Sequence, residues 1–352
     1  MKRAVTVTGG AGFVGSHLVE SLLRDGYEVT VFDALLRPGS RLNIAWLRDR
    51  YPDRQLTFIQ GDVRDFRAVQ AAMRGPDVIY HLAAQVAVTS SVSDPRTDFE
   101  TNVLGTLNVL EAARQGARRP AIVFTSTNKV YGGLEAVATL RGERSYRYRH
   151  LPHGIPETQP LDFHSPYGCS KGAADQYVRD YGRIYGLPTV VFRMSCIYGP
   201  RQFGTEDQGW VAHFIIAALT NKPITIYGDG KQVRDILFVS DLVRALRLAA
   251  DRLDTTAGDV FNIGGGPSNT MSVWGEFGEV LAKLKGERLE PRFGKWRPGD
   301  QPCYVSDIRK AAARMGWRPL VDKETGIQHL WDWVAANRSL VERLEAEGLT
   351  AA

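Results

Sequence analysis

No apolar run in this chain is long enough to cross a bilayer, and none resembles a secretory leader, since the first strand-like run starts at residue 4. Cysteine is scarce. Cys169, Cys196 and Cys303 are odd in number and scattered, which excludes a disulfide framework and fits a reducing, cytoplasmic setting. The seven histidines are dispersed, and the one close pair, His150 and His153, lies in an irregular loop without cysteine or carboxylate partners, so no metal is expected. No internal repeat or low-complexity tract occurs. The formal charge is +5, yet the basic residues are spread out, with one dense patch at 141–149 and no aromatic-basic platform. That pattern argues against a nucleic-acid partner and is equally well explained by a small anionic substrate. What remains is an ordinary globular composition, 43% hydrophobic and 24% charged, over 352 residues, enough for two lobes or one large domain.

Against this background the opening stands out. An apolar run at 4–7 stops at glycines spaced Gly9-x-x-Gly12-x-x-Gly15, then resumes as Phe13, Val14, Leu18, Val19, Leu22 and Leu23 at helical intervals. Strand, glycine turn and helix in that order hold a dinucleotide pyrophosphate against a helix N-terminus. Gly9 permits the sharp turn, Gly12 the approach of backbone N–H groups to phosphate, and Gly15 the close packing of helix on strand. A second apolar run, 29–32, ends at Asp33. A carboxylate there accepts from ribose hydroxyls and repels a 2′-phosphate, which favours NAD over NADP. Arg37 nearby is the one residue that would suit such a phosphate.

Strand-like runs recur at 4–8, 29–33, 56–60, 78–83, 121–126, 189–194 and 260–263, with helical patterns at 13–25, 65–74, 97–115 and 166–186 between the early ones. The alternation predicts an α/β fold, a doubly wound parallel Rossmann sheet with helices on both faces. After residue 193 it breaks into short strands, glycine turns and helices near 206–220, 240–253, 271–285 and 324–346. The expected division is a cofactor-binding domain over 1–193, with 234–263 returning to it, and a smaller C-terminal substrate lobe of 194–233 and 264–352. The polar insertion at 133–162 reads as a lid.

Two features carry chemistry. Tyr167 and Lys171 are spaced i and i+4 on a predicted helix, which puts phenol and ammonium on one face. Ser165-Pro166 supplies that helix with an N-cap and a first-turn proline. The lysine charge, together with a positive nicotinamide, is expected to lower the phenol's pKa from about 10 and make it a general base. The similarly spaced Tyr227 and Lys231 flank Gly228-Asp229-Gly230, which cannot be helical. Upstream, the run at 121–126 ends in Ser126-Thr127-Asn128-Lys129, with hydroxyls where a parallel strand faces its ligand crevice. Thr127 is placed to relay a proton beside Tyr167. Cys169 and Cys196 read as inert core thiols.

These residues, with Asp62-Val63, His81-Leu82-Ala83-Ala84 and Asn102, resemble an extended short-chain dehydrogenase/reductase acting on nucleotide sugars, over nearly the whole chain. The stretches 126–132, 161–177 and 207–210 are similar to those of CDP-tyvelose (CDP-paratose) 2-epimerases. The resemblance implies NAD held by Gly9, Gly12, Phe13, Val14, Asp33, Asp62, Val63, Leu82, Ala83, Ala84, Asn102, Ser126, Tyr167, Lys171 and Arg193. It implies a nucleotide-diphosphate sugar, a CDP-sugar favoured, held by Gln85, Thr127, Asn128, Lys129, Ser195, Gln202, Gln208, Arg234 and Arg297. It also implies a homodimer through the helices at 97–115 and 166–186. The related 4,6-dehydratases keep an acid and a base where Asn128 and Lys129 stand here, which argues against dehydration. Ala34, Met194 and Pro200 depart from the family pattern. The expected activity is NAD-dependent epimerisation at C2 of a CDP-hexose, catalysed by Tyr167, Lys171 and Thr127. A UDP-sugar type 4-epimerase is the alternative within the class, and a non-catalytic NAD-binding sensor the alternative outside it.

Overall fold

The computed structural model describes residues 3–52, 55–297 and 300–346. The Pro298-Gly299 part of the Arg297 motif and residues 347–352 of the expected C-terminal lobe lie outside that set. The first half runs β1 (Ala4–Thr8), α1 (Phe13–Arg24), β2 (Glu28–Asp33), α2 (Pro38–Arg50), β3 (Leu56–Gln60), α3 (Phe66–Ala72), β4 (Val78–His81), α4 (Val88–Ser93), α5 (Pro95–Phe99), α6 (Gly105–Gln115) and β5 (Ala121–Thr127). A hairpin of β6 (Thr139–Arg141) and β7 (Tyr146–Tyr148) precedes α7 (Ser165–Tyr185), β8 (Thr189–Met194) and β9 (Cys196–Tyr198). Then come α8 (Trp210–Leu219), β10 (Thr225–Tyr227), β11 (Val233–Phe238), α9 (Val239–Asp251), α10 (Leu253–Thr256) and β12 (Val260–Ile263). The chain closes with β13 (Thr270–Ser272), α11 (Phe277–Lys285), β14 (Arg292–Gly294), β15 (Cys303–Tyr304), α12 (Arg309–Met315), α13 (Lys323–Ala336) and α14 (Arg338–Ala346).

Seven strands form one wholly parallel sheet in the order β3-β2-β1-β4-β5-β8-β12. This is the doubly wound Rossmann architecture, and its order reverses between β1 and β4, so the ligand crevice opens at their carboxyl ends. Both faces are buried, which is why the strands read as continuous apolar runs. Successive side chains feed two cores. Val29, Val31, Val78, Tyr80, Val190 and Phe192 pack with α1 and α9, while Phe32, Ile79, Ile122, Phe124 and Val191 pack with α3, α6 and α7. A third core, with Phe214, Ile215, Ile226, Phe277, Leu281, Ile327 and Leu330, holds the smaller lobe together.

Four local expectations change. The return to the main sheet begins at α9, not at residue 234, because β11 pairs with β9, β13 and β15 in the smaller lobe's sheet. Only β12 then joins the main sheet, and Ala311, Met315 and Trp317 from the far end of the chain pack into the same core. The helix expected over 97–115 is interrupted by a π-helical turn at Glu100–Leu104, a device that re-aims side chains at functional sites. Helix α2 escaped the sequence pattern because its arginines interrupt the apolar spacing, although Ile44 and Leu47 are buried. The 133–162 insertion is a strap rather than a lid. Tyr146 bonds Asp229 and the Tyr148 hydroxyl donates to the Cys303 carbonyl, which ties the hairpin to the smaller lobe.

Candidate active site

The crevice, of about 1270 Å³, runs from the glycine turn to the smaller lobe. Its first wall is backbone. Gly9 has φ +70°, and a Cβ there would come within 2.7 Å of the Ala83 nitrogen; a Cβ on Gly15 would come within 2.1 Å of the Gly9 carbonyl oxygen. Gly12 precedes α1, whose first turn carries no acidic residue and no side-chain cap. Its N–H groups and the positive end of its dipole are therefore left for an anion. The Asp33 carboxylate accepts from the Ala11 N–H at 3.0 Å and the Leu35 N–H at 2.8 Å, and burial holds its pKa above the usual carboxylate range. Asp62 is held by Arg64 at 2.7 Å. Phe13, Val14, Val63, Leu82, Ala83 and Ala84 complete this wall. The Ser126 hydroxyl and the Gln85 side-chain carbonyl are buried in the lining without a partner. An open glycine turn, a free helix end and these orphaned polar atoms fit a dinucleotide.

At the centre, α7 brings Tyr167 and Lys171 to the end of β5. The helix ends at Gly186 in a left-handed conformation (φ 67°). At its other end Ser165 stands outside helical φ/ψ, with φ 63°. Its hydroxyl accepts from the Gly168 N–H at 3.2 Å, the capping bond expected of Ser165. Thr127 stands beside the Tyr167 phenol and acts to lower its pKa, while its hydroxyl donates to the Asn128 side-chain carbonyl at 3.4 Å and accepts from the Lys129 N–H at 3.3 Å. The Lys171 ammonium donates to the Thr125 carbonyl at 2.7 Å and lies 4.3 Å from the Phe124 ring centre. Burial pushes the Tyr167 phenol up to about 12, opposed by Thr127 and Arg37, and brings the Lys171 ammonium down to about 7. Desolvation thus outweighs the neighbouring groups that favour the phenolate, and the Lys171 ammonium is drawn toward the Thr125 carbonyl.

The opposite wall is made of side chains from distant segments. Lys129 lies 3.8 Å from Asp300, and Asp300 also takes a 2.5 Å bond from Arg234. Arg234 donates further to the carbonyls of Val233 and Gln301. Arg297 lies 4.0 Å from the Tyr227 ring centre and 3.5 Å from Asp207. Gln208 accepts a 2.6 Å bond from Arg37 across the crevice, Gln202 exposes no side-chain carbonyl and leaves it unpartnered, and Ser195 donates to Asp235. Asn128 and Ser195 also line the cavity.

Two expected cofactor residues lie elsewhere. Asn102 is buried and does not line the crevice; its amide accepts from the Gln85 N–H and donates to Gln85, Asp98 and Ser170, pinning the loop after β4. Arg193 is committed to a bidentate pair with Asp175 at 2.9 and 3.0 Å, beneath Tyr131. Cys169 is exposed rather than in the core, and Cys196 lines the crevice. Sequence reasoning missed His164, Glu206, Asp207, Trp210, Phe214, Tyr227 and Asp300, all in the lining. His164, Asp207 and Trp210 lie within the quoted stretches 161–177 and 207–210 without a role assigned there, and the others carried no local signal, because nothing nearby in the chain ties the 206–227 segment to Asp300. Among the described residues one trio, the exposed Glu135 and Asp162 with the half-buried His164, brings potential metal ligands together.

Comparison with known proteins agrees with this geometry. Residues 5–264 match the model of the NAD dependent epimerase/dehydratase family. The chain is 43% identical over 340 residues to the CDP-paratose 2-epimerase of Salmonella typhi, covering 94% of this chain and 98% of that protein. It also resembles the solved UDP-glucose 4-epimerase of Thermotoga maritima with UDP-glucose (TM-score 0.81, 31% identity, 96% and 99% of the two chains). A dTDP-glucose 4,6-dehydratase of Streptomyces venezuelae, solved with NAD bound, has a TM-score of 0.83 at 32% identity, over 97% and 99% of the two chains. The chain belongs to the NAD dependent epimerase/dehydratase family, as an extended short-chain dehydrogenase/reductase whose cofactor is NAD.

Proposed function

We propose that this protein epimerises C2 of a CDP-hexose of the paratose/tyvelose type, through transient oxidation of that carbon to a ketone. The observation that carries the reading is the end of β5. Thr127 meets the Tyr167 phenol there, and the next two residues are a neutral amide, Asn128, and a cation, Lys129, paired with Asp300. Tyr167 and Thr127 can move a hydroxyl proton, whereas positions 128 and 129 offer an amide and a cation tied to Asp300 where elimination of water would use an acid and a base. The similarity to a CDP-paratose 2-epimerase supports the carbon and the base.

Tyr167 takes the proton of the C2 hydroxyl, Thr127 orients that hydroxyl, and Lys171 keeps positive charge beside the phenolate. NAD, when bound, supplies the hydride acceptor for that carbon, the donor for its return to the opposite face, and a further positive charge near the phenol. The lining from Gly9 to Ser126 holds the cofactor, apart from Asn102 and Arg193, which act by fixing the loop and β8. Gln85, Asn128, Lys129 and Ser195 surround the sugar; Gln202, Gln208, Arg234 and Arg297 hold the nucleotide diphosphate, guanidinium forks matching phosphate oxygens. The first domain is the cofactor half and the smaller lobe the substrate half. Phe99, Leu104, Tyr177 and Ile184 are exposed on the 97–115 segment and α7, which supports a homodimer across that face. The free thiols support a cytoplasmic setting.

Deuterium at C2 of the substrate tests the mechanism. It is expected to stay on C2 through many turnovers in ordinary water. Uptake of solvent deuterium at C2 in D₂O would overturn hydride return, and inversion at C4 would establish a 4-epimerase instead.

A further inference from the structure

Helix α5 packs against α7 and brings one carboxylate, Asp98, behind the turn that carries Tyr167 and Lys171. Asp98 is 1% exposed. One oxygen accepts from the Asn102 amide at 3.1 Å; the other is buried with no hydrogen-bond partner. The same Asn102 nitrogen lies 3.0 Å from the Ser170 hydroxyl, and Ser170 stands on α7 between Tyr167 and Lys171, donating to the Tyr167 carbonyl at 3.2 Å. Asp98 is therefore wired to the helical turn in question, at the start of the π-helical interruption. A buried, half-satisfied carboxylate is costly unless it serves a charge nearby.

The surrounding charges say which one. Two carboxylates act on Lys171, Asp98 and Asp175. Asp175 is already committed to both nitrogens of Arg193. His81 faces Lys171 from β4 as a neutral ring between Thr8 and Thr106. Arg37 acts on Tyr167 from the far side of the crevice, and Thr127, beside the phenol, acts in the same direction. Asp98 is the carboxylate left without a cation of its own.

We propose that Asp98 is a positioning residue for the Tyr167–Lys171 pair, supplying the negative charge that keeps Lys171 an ammonium in its buried position. The inference rests on the reading of that pair as the proton-transfer machinery. The sign of its effect follows from electrostatics. Without the Asp98 charge Lys171 gives up its proton at lower pH, and Tyr167, freed of a neighbouring anion, ionises at lower pH as well. Both limbs of the activity profile move together.

The test is the kcat–pH profile of D98N, which removes charge at constant shape. Both limbs are expected to shift to lower pH by about one unit, with NAD retention and KM for the CDP-sugar unchanged. Unmoved limbs, with or without a loss of kcat or Tm, would overturn the proposal, because a structural role costs stability without shifting titrations. If D98N folds poorly, D98E decides: it keeps the charge, so its limbs must stay at wild-type pH, and a shift in them overturns the proposal. Tyr167→Phe separates the two readings. Should that variant retain its turnover, the proton-transfer assignment fails at Tyr167, whatever Asp98 does.

Discussion

The two walls of the crevice are built on different principles. The wall proposed for the cofactor comes from a glycine turn and the ends of successive strands of one sheet, and its shape rests largely on backbone geometry and on close approaches that leave no room for side chains. The wall proposed for the substrate draws on 194–214, 225–234, 273, Arg297 and Asp300, and its charged side chains hold one another in place. A wall made of backbone fails abruptly when a single Cβ is added. A wall made of side chains should weaken in steps as each is truncated.

The largest expected effect lies where the walls meet. Tyr167→Phe should lower turnover by about 10²–10⁴-fold, the usual contribution of a positioned acid–base group, while NAD stays bound through gel filtration. Near-native turnover would remove the phenol as the base. Next comes the backbone wall. Gly15→Ala puts a methyl 2.1 Å from the Gly9 oxygen, and overpacking of that kind costs about 1–3 kcal/mol. Calorimetry should show NAD affinity falling by about 10–100-fold, and an unchanged affinity would mean that the turn yields more easily than its geometry says.

The substrate wall should respond in graded fashion. Arg234→Ala is expected to raise KM about tenfold or more with kcat nearly intact, since its contacts are shared by ground and transition states. Arg297, partly exposed and resting on Tyr227, should cost less. Equal, abrupt losses of kcat in both would erase the contrast between the walls.

The smallest effect is a matter of pH. Burial brings His81, beneath the cofactor wall, down to about 3 from 6.5, and His17 likewise. Between those values the unfolded chain binds the proton and the folded chain does not, so stability is full above about pH 6.5 and falls as pH drops toward 3. The slope approaches about 1.4 kcal/mol per pH unit for each histidine. Tm should decline from pH 7.5 to pH 5, and His81→Asn should flatten part of that decline. A Tm independent of pH in both proteins would contradict the neutral, buried imidazole.

By itself the sequence determined whatever depends on local periodicity and short-range sterics. The seven main-sheet strands follow from apolar runs buried on both faces, the glycine turn from φ and close approach, and the Tyr167–Lys171 pair from a helical interval of four. Tertiary structure decided whatever depends on partners far apart in the chain. It placed Asn102 against Gln85 and Ser170, committed Arg193 to Asp175, and brought Asp300 to Lys129 and Arg234. It also turned the 133–162 insertion into a strap through Tyr146–Asp229 and Tyr148–Cys303. In each case a buried polar or charged group had to find its complement somewhere in the fold, and which group that would be is set by packing rather than by neighbours in sequence.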